Sequence, residues 1–507
     1  MSTITYRANL SAKSFPFISE NFGRSVIVAG PDQNFNRQLV ASEDTDKDIG
    51  IAQAYYLHNV MPHSQGWQAI GYTQILPPVA GVTDFISIFL LRDGADNKIY
   101  LGVKANGDFY TSDGTGAPWV FKQSNPAGKL VTVAYVSGVT YVMVANTNCY
   151  SYNFGTAAFQ VVTLTAITVA NITGITYSAG YLIAWTPSNV AWSSTIDPTD
   201  FTPSLVTGAG GGAIESARGA INYCVPHTLG FIVGTADNCV VGLYQNNIRY
   251  PFQFREIVNS GGMTSLDLVT WDANSGNLYA YTTSGLQLVS TSQTQTVFPE
   301  ITDFISGRYF EDFDDVSCTF SHVILNAAMQ KKLNVVADRY IIMSYGVSEL
   351  THALMYDITL KRYGKLKLKH VASFTYLLAS PGILETPKQS VGFLQKDGTV
   401  VIVDFAIGSP KLNGTIILGK YQYVRPRLIQ MDRVDIESTR PGQSFNLQIL
   451  TALDGKNWVA STPMLTHDGG LAKEYSSRAI GLNHSILVQG GFLLDSLVLN
   501  FNIHGKR

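Results

Sequence analysis

The chain has 507 residues, of which 46% are hydrophobic and only 14% are Asp, Glu, Lys or Arg, against about 25% charged residues in a typical soluble domain. Its length exceeds the roughly 250–300 residues at which one hydrophobic core stops growing, so we expect several domains or one large body built from repeats. The net charge of −2 excludes the basic surface of a general nucleic-acid-binding protein, and the scarcity of charge favours a subunit of an assembly over a free enzyme.

Residues 1–90 are predicted to form an irregular segment that packs with the C-terminal end of the chain, with one short helix around 46–61. The first residues, MSTITYRANLSAKSF, lack the apolar stretch of a secretory signal, so we expect the protein to start in a cytoplasm. The apolar run FISIFLL at 85–91 is far shorter than the roughly 20 residues of a membrane-spanning helix, so we expect no membrane span.

Seven hairpin signals follow between residues 91 and 420, each with two β-branched or aromatic runs around a turn of Asn, Gly, Asp or Ser. They lie at 98–112, 140–154, 180–194, 230–245, 276–290, 339–358 and 390–405. Their spacing of roughly 40–60 residues leaves room for four strands per unit, which is typical of propeller blades. The sequence therefore predicts an all-β fold with a β-propeller of about six to eight blades; a string of β-sandwiches is the alternative.

Residues 191–204, AWSSTIDPTDFTPS, are predicted to be a loop after a blade strand that ends near Trp192. Asp197 and Asp200 stand where their side chains can accept hydrogen bonds from backbone amides two residues further on, which is turn chemistry. The alternative is a pair of catalytic carboxylates, because glycoside hydrolysis uses two acids about 5–10 Å apart. No Glu or Arg cluster lies nearby in the sequence, so a turn is the favoured interpretation.

The glycine-rich run at 208–219, GAGGGAIESARG, resembles a phosphate-binding loop only superficially. It lacks the terminal Gly-Lys-Ser/Thr and does not follow a strand. Close backbone packing or a flexible crossing between blades is the better interpretation.

The segment KRYGKLKLKH places Lys365, Lys367 and Lys369 at alternate positions, so a strand would present all three on one face. The simplest interpretation is a solvated face. In an oligomer, the same lysine stripe is predicted to meet an acidic segment of a neighbouring copy, such as 311–315 or 42–48.

Residues 421–507 are predicted to form a compact β-sandwich, because segments such as FNLQIL and LVLNFNI alternate apolar and polar residues. Within it, ALDGKNWV resembles the Asp-box hairpin of sialidases, with Asp454, Gly455 and Trp458 at the turn positions. Such boxes are structural turns, and arginines do not cluster here as a sialidase site requires.

The four cysteines, Cys149, Cys224, Cys239 and Cys318, are scattered without a C-x-x-C pair or a histidine at metal-binding spacing. We therefore expect buried reduced thiols, and the sequence predicts no metal site, no cofactor and no catalytic residue.

Several stretches together resemble the tail hub, or nozzle, proteins of short-tailed bacteriophages. The stretches occur in a consistent order and lie at 58–72, 191–204, 207–221, 230–263 and 424–438. The resemblance implies a β-propeller with a β-rich platform, built from the C-terminal and N-terminal segments. It further implies six copies in a ring below the portal adaptor.

By the same resemblance, the ring would continue the DNA-exit channel of the virion tail and carry fibres, tailspikes or a needle. DNA would pass through without sequence-specific binding, and assembly would occur in the bacterial host cytoplasm. The predicted function is therefore structural and not enzymatic; the alternative is a propeller that degrades or binds glycans on the host surface. The candidate subunit-contact residues are Trp192, Asp197, Asp200, Phe201, Lys365, Lys367 and Lys369.

Overall fold

The computed structural model describes residues 3–9, 54–63, 66–78, 83–262, 265–272, 276–282, 285–296, 310–314, 319–323, 330–360, 362–377, 389–404, 414–422, 428–437, 444–453, 459–468, 472–494 and 496–503. Within these ranges nearly all regular structure is β-strand, and the helices are short 3-10 turns at Val169–Asn171 and Leu266–Leu268. A helix long and apolar enough to cross a membrane is absent from this described part.

Among the described residues, five strands precede the first repeated sheet. They are β1 (Thr3–Asn9), β2 (Ala54–His58), β3 (Val60–His63), β4 (Gly66–Ala69) and β5 (Gly71–Leu76). The prediction of a helix around 46–61 is wrong over residues 54–61, which lie mainly in strands because β2 pairs with a C-terminal strand and β3 with a propeller strand. The rest of that segment lies outside the described residues.

Four-stranded antiparallel sheets then follow one another, and we call them blades. Blade 1 contains β6 (Phe85–Arg92), β7 (Lys98–Lys104), β8 (Phe109–Ser112) and β9 (Val120–Gln123), and blade 2 contains β10 (Val131–Val136), β11 (Val139–Val144), β12 (Asn148–Asn153) and β13 (Ala158–Val162). Blade 3 contains β14 (Gly174–Ser178), β15 (Tyr181–Trp185), β16 (Asn189–Trp192) and β17 (Gly210–Ala213), and blade 4 contains β18 (Ile221–His227), β19 (Gly230–Thr235), β20 (Cys239–Tyr244) and β21 (Phe252–Glu256).

The series continues to a seventh blade. Blade 5 contains β22 (Val269–Asp272), β23 (Asn277–Thr282), β24 (Gly285–Val289) and β25 (Thr294–Thr296), and a separate hairpin of β26 (Phe310–Asp314) and β27 (Thr319–Val323) follows it. Blade 6 contains β28 (Gln330–Val336), β29 (Tyr340–Gly346), β30 (Leu350–Asp357) and β31 (Arg362–His370). Blade 7 contains β32 (Ala372–Leu377), β33 (Gln389–Leu394) and β34 (Val400–Asp404), and its outermost strand is β5.

The seven blades form a closed propeller. The first strand of each blade contacts the first strand of the next, and β32 of blade 7 contacts β6 of blade 1. Three hydrogen bonds tie these two blades across the closure: Trp119 Nε1 donates to Gly398 O at 2.7 Å, Tyr376 Oη to Gly114 O at 2.6 Å, and the Leu377 amide to Tyr100 Oη at 3.0 Å. The described residues therefore confirm the predicted propeller, with seven blades.

Each of the seven hairpin signals is the central strand pair of one blade. Two of the inner strands of these pairs, Tyr181–Trp185 and Tyr340–Gly346, are buried at every position. Apolar clusters fill the spaces between neighbouring blades, and the cluster that joins blades 7 and 1 contains Leu76, Phe85 and Tyr100. Packing between sheets, rather than within one sheet, thus forms the core.

Nine further strands follow the propeller. They are β35 (Gly414–Gln422), β36 (Ile429–Glu437), β37 (Phe445–Ala452), β38 (Val459–Ala460), β39 (Leu465–His467), β40 (Ala472–Gly481), β41 (Asn483–Gly490), β42 (Leu493–Leu494) and β43 (Ser496–Ile503). One sheet has the order β1-β43-β36-β40, and a second has the order β2-β35-β41-β37-β38, with β39 also paired to β37. Strands from both ends of the chain thus build one platform, as the sequence predicts.

A continuous sheet joins the platform to the propeller. The outermost strand of blade 6, β31, pairs with β3, and the sheet continues through β4 to β42, giving seven hydrogen-bonded strands. Asn59, just before β3, accepts the Lys367 amide with its Oδ1 at 2.8 Å and the Ile70 amide with its backbone oxygen at 2.9 Å. The β3–β4 hairpin therefore contacts blade 6 through the Val60–Lys365 pair and the hydrogen bond from the Lys367 amide to Asn59.

The predicted boundary at residue 90 is too late. The strand Gly71–Leu76, which the prediction assigned to the N-terminal platform segment, belongs to blade 7, where it pairs with β34. The physical reason is ring closure, since a strand from before the first blade supplies the outer edge of the last one. The platform strands resume at Gly414, close to the predicted boundary at 420. The predicted turn at Asp454, Gly455 and Trp458 lies outside the described residues.

Candidate interaction surfaces

Two faces of the propeller carry the candidate residues. We label the strands of each blade a to d from the axis outward, so the loops a–b and c–d lie on one face, the cd face. The b–c loops and the connections between blades lie on the opposite face, the bc face.

The c–d loop of blade 3, residues 193–209, follows Trp192, the last residue of β16. The Trp192 indole Nε1 donates to Gly208 O at 2.9 Å, so the side chain closes the base of this loop. Its ring also contacts Phe252 and Phe254 of blade 4, at centroid distances of 5.5 and 6.1 Å. Trp192, a predicted contact residue, therefore holds the loop against the next blade and keeps part of its surface exposed.

Asp197 and Asp200 are turn residues. Asp197 Oδ1 accepts the amide and the hydroxyl of Thr199, both at 2.8 Å, and Asp200 Oδ1 accepts the Thr202 amide at 2.9 Å. The bonds to Thr202 lower the pKa of the Asp200 carboxyl from its ordinary value of 3.8. The predicted turn chemistry is confirmed for both carboxylates.

Phe201 is a core residue rather than a contact residue. Its side chain is 2% exposed and packs between blades 2 and 3 with Leu164 and Leu182. The Phe201 amide donates to Thr165 O at 3.2 Å, and Asp200 bridges to Thr165, so the loop folds back onto blade 2 at this point. The prediction that Phe201 faces a neighbouring copy is therefore corrected, because the chain buries it internally.

The platform covers one of the three lysines of the stripe and leaves the other two exposed. Lys365 is 3% exposed because its position on β31 is paired with Val60 of β3, where the platform covers the edge of blade 6. Lys367 and Lys369 lie beyond this cover and are exposed, and Lys369 Nζ is 3.7 Å from Glu349 Oε2. The predicted three-lysine face is therefore wrong for Lys365, while the two remaining lysines are exposed.

A cavity of about 370 Å³ lies between the first strands of blades 1, 2, 5, 6 and 7. A second cavity of about 490 Å³ opens among the loops of the bc face, and the two share Ile86 and Lys332 in their walls. Lys332 Nζ donates to Ile86 O at 3.1 Å and lies 3.6 Å from Asp267 Oδ1. The axial space is therefore narrow and crossed by a paired cation.

Charged side chains of both signs surround the mouth of the larger cavity. Lys396 Nζ lies 3.1 Å from Asp84 Oδ1, and this bond lowers the pKa of the Asp84 carboxyl. Lys369 with Glu349 forms a second pair at the same mouth. Burial lowers the pKa of His370, in the wall, to about 4, so this imidazole is neutral at physiological pH. The mouth therefore carries no strong excess of either charge.

The cd face also carries exposed apolar side chains that sequence reasoning missed. Ile196, Leu205 and Val206 in the c–d loop of blade 3 are 80%, 62% and 78% exposed. Ile248 and Tyr250, in the c–d loop of blade 4, are 45% and 71% exposed. The sequence contained one signal for these exposed side chains. The apolar residues of SLV (204–206) and NNIRY (246–250) stand in polar loop segments, where there is no core to bury them.

The cysteines are buried thiols where the structure describes them. Cys149, Cys224 and Cys239 are unpaired by disulfides, and burial raises the pKa of Cys149 and of Cys239 to about 12. The prediction of buried reduced thiols is confirmed for these three, while Cys318 lies outside the described ranges. In the same ranges, His, Cys, Asp and Glu side chains form no group of three able to hold a metal ion.

No protein-family model and no curated protein matches the chain. Among solved structures, the extracellular domain of a hybrid two-component system from B. thetaiotaomicron aligns with a TM-score of 0.43 and 11% identity, over 90% of this chain and 64% of that one. YCF48 from Cyanidioschyzon merolae aligns with a TM-score of 0.40 and 11% identity, over 66% of this chain and 98% of that one. The WD40 β-propeller domain of Doa1 aligns with a TM-score of 0.38 and 10% identity, over 67% of this chain and 99% of that one.

The chain thus spans less than two thirds of the length of the two-component domain. The class of protein defined by the strand order is a seven-bladed β-propeller with an attached β-platform, within the described residues. That assignment rests on the blades themselves, since such distant likenesses carry nothing about function.

Proposed function

We propose that this protein is a structural, non-enzymatic subunit of a ring of the tail hub or nozzle kind found in short-tailed phages. The observation that carries the proposal is the seven-stranded sheet that runs from blade 6 into the platform. At the junction Val60 pairs with Lys365 and Asn59 accepts the Lys367 amide, and such a direct connection suits a subunit that must hold a fixed angle to its neighbours in a ring.

The axial cavity supports a DNA channel between copies rather than through a propeller. The major groove of DNA alone is about 12 Å wide, and the cavity of about 370 Å³ is crossed by Lys332. The paired charges at the mouth of the larger cavity, of about 490 Å³, also differ from the basic surface that holds phosphates. In the proposed ring, DNA passes the shared centre without sequence-specific binding.

The two carboxylates of the glycosidase alternative have a turn role that needs no catalytic function. Asp197 and Asp200 both accept backbone amides in turns. The ring would sit below the portal adaptor in the virion tail, assemble in the bacterial cytoplasm and carry a fibre, tailspike or needle. These partners follow from the resemblance of the sequence to tail hub proteins.

Mass photometry of the purified chain, alone and mixed with the portal and adaptor proteins, tests the proposal. We expect a closed ring of six copies in at least one of these conditions, because a heterologous contact closes under rotation. A chain that stays single in every condition would contradict the proposal. Hydrolysis of host polysaccharide by the purified protein, lost on D197A or D200A, would favour the enzymatic alternative.

A further inference from the structure

The larger cavity on the bc face, which we call the loop cavity, has the size of a ligand site. Its volume is about 490 Å³, and ligand pockets typically measure about 300–1,000 Å³. Its walls come from the b–c loops of blades 6, 7 and 1, from the connection between blades 6 and 7, and from the start of blade 1. Three blades of a single chain therefore build this cavity.

The charged side chains in the walls of the loop cavity balance each other. Lys396 Nζ lies 3.1 Å from Asp84 Oδ1, and Lys369 Nζ lies 3.7 Å from Glu349 Oε2. The side chains of these two pairs are 46–79% exposed, so their charged ends are accessible to a ligand. Among the described residues, the walls carry three cations and three anions: Lys332, Lys369, Lys396, Asp84, Glu349 and Asp397.

Backbone hydrogen bonds hold these walls in place. The Phe85 amide donates to Lys396 O at 3.1 Å, which joins the b–c loop of blade 7 to the start of blade 1. The Val371 amide donates to Leu394 O at 2.8 Å, which joins the connection between blades 6 and 7 to blade 7. The charged side chains therefore stand on a backbone that is ordered before a ligand binds, and this order lowers the entropy cost of binding.

The rest of the wall is mainly apolar or uncharged. Ile86, Leu350 and Val371 contribute apolar side chains. His370 is buried, and burial lowers the pKa of its imidazole to about 4, so it adds no charge at physiological pH. A ligand in the loop cavity thus meets apolar surface between charged groups of both signs.

This balance of charge selects the chemistry of the ligand. A polyanion such as a nucleic acid would meet three carboxylates together with the three lysines. A neutral apolar ligand would remove water from these charged groups without supplying opposite charges. A ligand with both signs of charge can instead place a carboxylate beside a lysine and an ammonium beside an acid.

We propose that the loop cavity binds a polypeptide segment of a partner protein in which acidic and basic side chains stand close together. Lys369 and Glu349 belong to blade 6, whereas Lys396 belongs to blade 7 and Asp84 precedes the first strand of blade 1. A ligand that contacts both pairs must carry several charges along its length, and a polypeptide can carry both signs on neighbouring residues. The inference goes beyond the proposed ring, because one copy of the chain supplies the whole cavity.

Fluorescence anisotropy with labelled peptides tests the proposal. The probes are short peptides with blocked ends, made of alternating Lys and Glu, of Glu alone, of Lys alone, or of Gly and Ser. We expect the wild-type chain to bind the alternating probe about tenfold more tightly than each of the others, because only this probe matches both signs of charge.

Two charge variants give a readout that a merely structural role would not produce. D84N/E349Q leaves three lysines and one carboxylate in the walls, and we expect it to prefer the Glu probe. K369Q/K396Q leaves one lysine and three carboxylates, and we expect it to prefer the Lys probe.

A steric variant tests whether the probe occupies the loop cavity. Ser348 is an exposed wall residue in the b–c loop of blade 6, so S348W narrows the cavity and is expected to weaken binding of the alternating probe about tenfold. S188W is the control, because Ser188 is exposed in the b–c loop of blade 3 and lies outside the cavity walls.

Three results would each overturn the inference. They are an alternating probe that binds no more tightly than the single-charge probes, unchanged probe preferences in both charge variants, and S348W that binds as well as S188W. The ring expected from the proposed function is measured separately by mass photometry, so failure of one proposal leaves the other intact.

Discussion

At the scale of single residues, one buried carboxylate has a clear structural role. Asp357, at the end of strand c of blade 6, is fully buried. Its Oδ2 accepts two hydrogen bonds from the Arg339 guanidinium, at 2.9 and 2.6 Å, and its Oδ1 accepts the amides of Thr359 and Leu360. One side chain thus fixes both the a–b and the c–d loop of the blade.

We expect D357A to lower the free energy of unfolding by about 2–4 kcal/mol, because four donors lose their acceptor and two of them belong to a cation. Urea unfolding followed by circular dichroism measures this loss. The matched control is E474A, whose carboxylate is 57% exposed and lies 3.4 Å from Arg433. Equal small effects in both variants would contradict the structural role of Asp357.

Two buried histidines predict a pH dependence of stability. Burial lowers the pKa of His370 and of His484 from 6.5 to about 4. Between these values the unfolded chain binds more protons than the folded chain, so stability falls as the pH drops from about 6.5 to about 4.

The double variant H370Q/H484Q is expected to show a smaller loss of melting temperature between pH 7 and pH 5 than the wild-type chain. His370 Nε2 pairs with Ser344 Oγ at 2.8 Å, so the variant starts from a lower melting temperature at pH 7. Differential scanning fluorimetry gives both quantities. The same pH-dependent loss in both proteins would rule out these histidines as its source.

At the scale of elements, the sequence revealed the central strands best. Strands b and c are apolar on both faces, so their hairpins are visible as long β-branched and aromatic runs. The outer strands gave weak signals, since β17 is only Gly-Gly-Gly-Ala and β9 spans four residues. Strand β5 could not be assigned, because its partner β34 lies more than 300 residues further along the chain.

The site predictions failed for a related reason. Phe201 and Lys365 lie in segments whose local pattern indicates exposure, and contacts with other parts of the chain bury both. For Phe201 the cover comes from blade 2, and for Lys365 from the platform strand β3. Asp197 and Asp200 were predicted correctly as turn residues because their partners lie two residues away.

Closure of the propeller by β5 can be tested with L76A. Leu76 is 1% exposed and packs in the cluster between blades 7 and 1, so removing its side chain should cost about 2–5 kcal/mol of unfolding free energy. L205A serves as the control, because Leu205 is 62% exposed. Equal free energies of unfolding of the two variants in urea would mean that β5 does not close the propeller.

The two exposed lysines of β31 remain predicted contact residues. We expect K367E/K369E to reduce the abundance of the assembled ring in mass photometry if an acidic segment of a neighbour meets this stripe. K473E is the control, since Lys473 lies on the platform strand β40 and pairs locally with Asp468 at 3.0 Å. Wild-type abundance in K367E/K369E would remove the stripe from the interface.

At the scale of the whole molecule, the chain combines a seven-bladed propeller with a β-platform attached at the outer strand of blade 6. Both ends of the chain contribute strands to the platform, and one sheet crosses from it into blade 6. The Val60–Lys365 pair and the hydrogen bond from the Lys367 amide to Asn59 Oδ1 connect the two bodies at this point.

Electron cryo-microscopy of the purified chain with its portal and adaptor tests this account most directly. We predict rings of six copies, with an open channel at the shared centre rather than along any propeller axis. Single particles with an occupied axial cavity and no contact between copies would contradict the account.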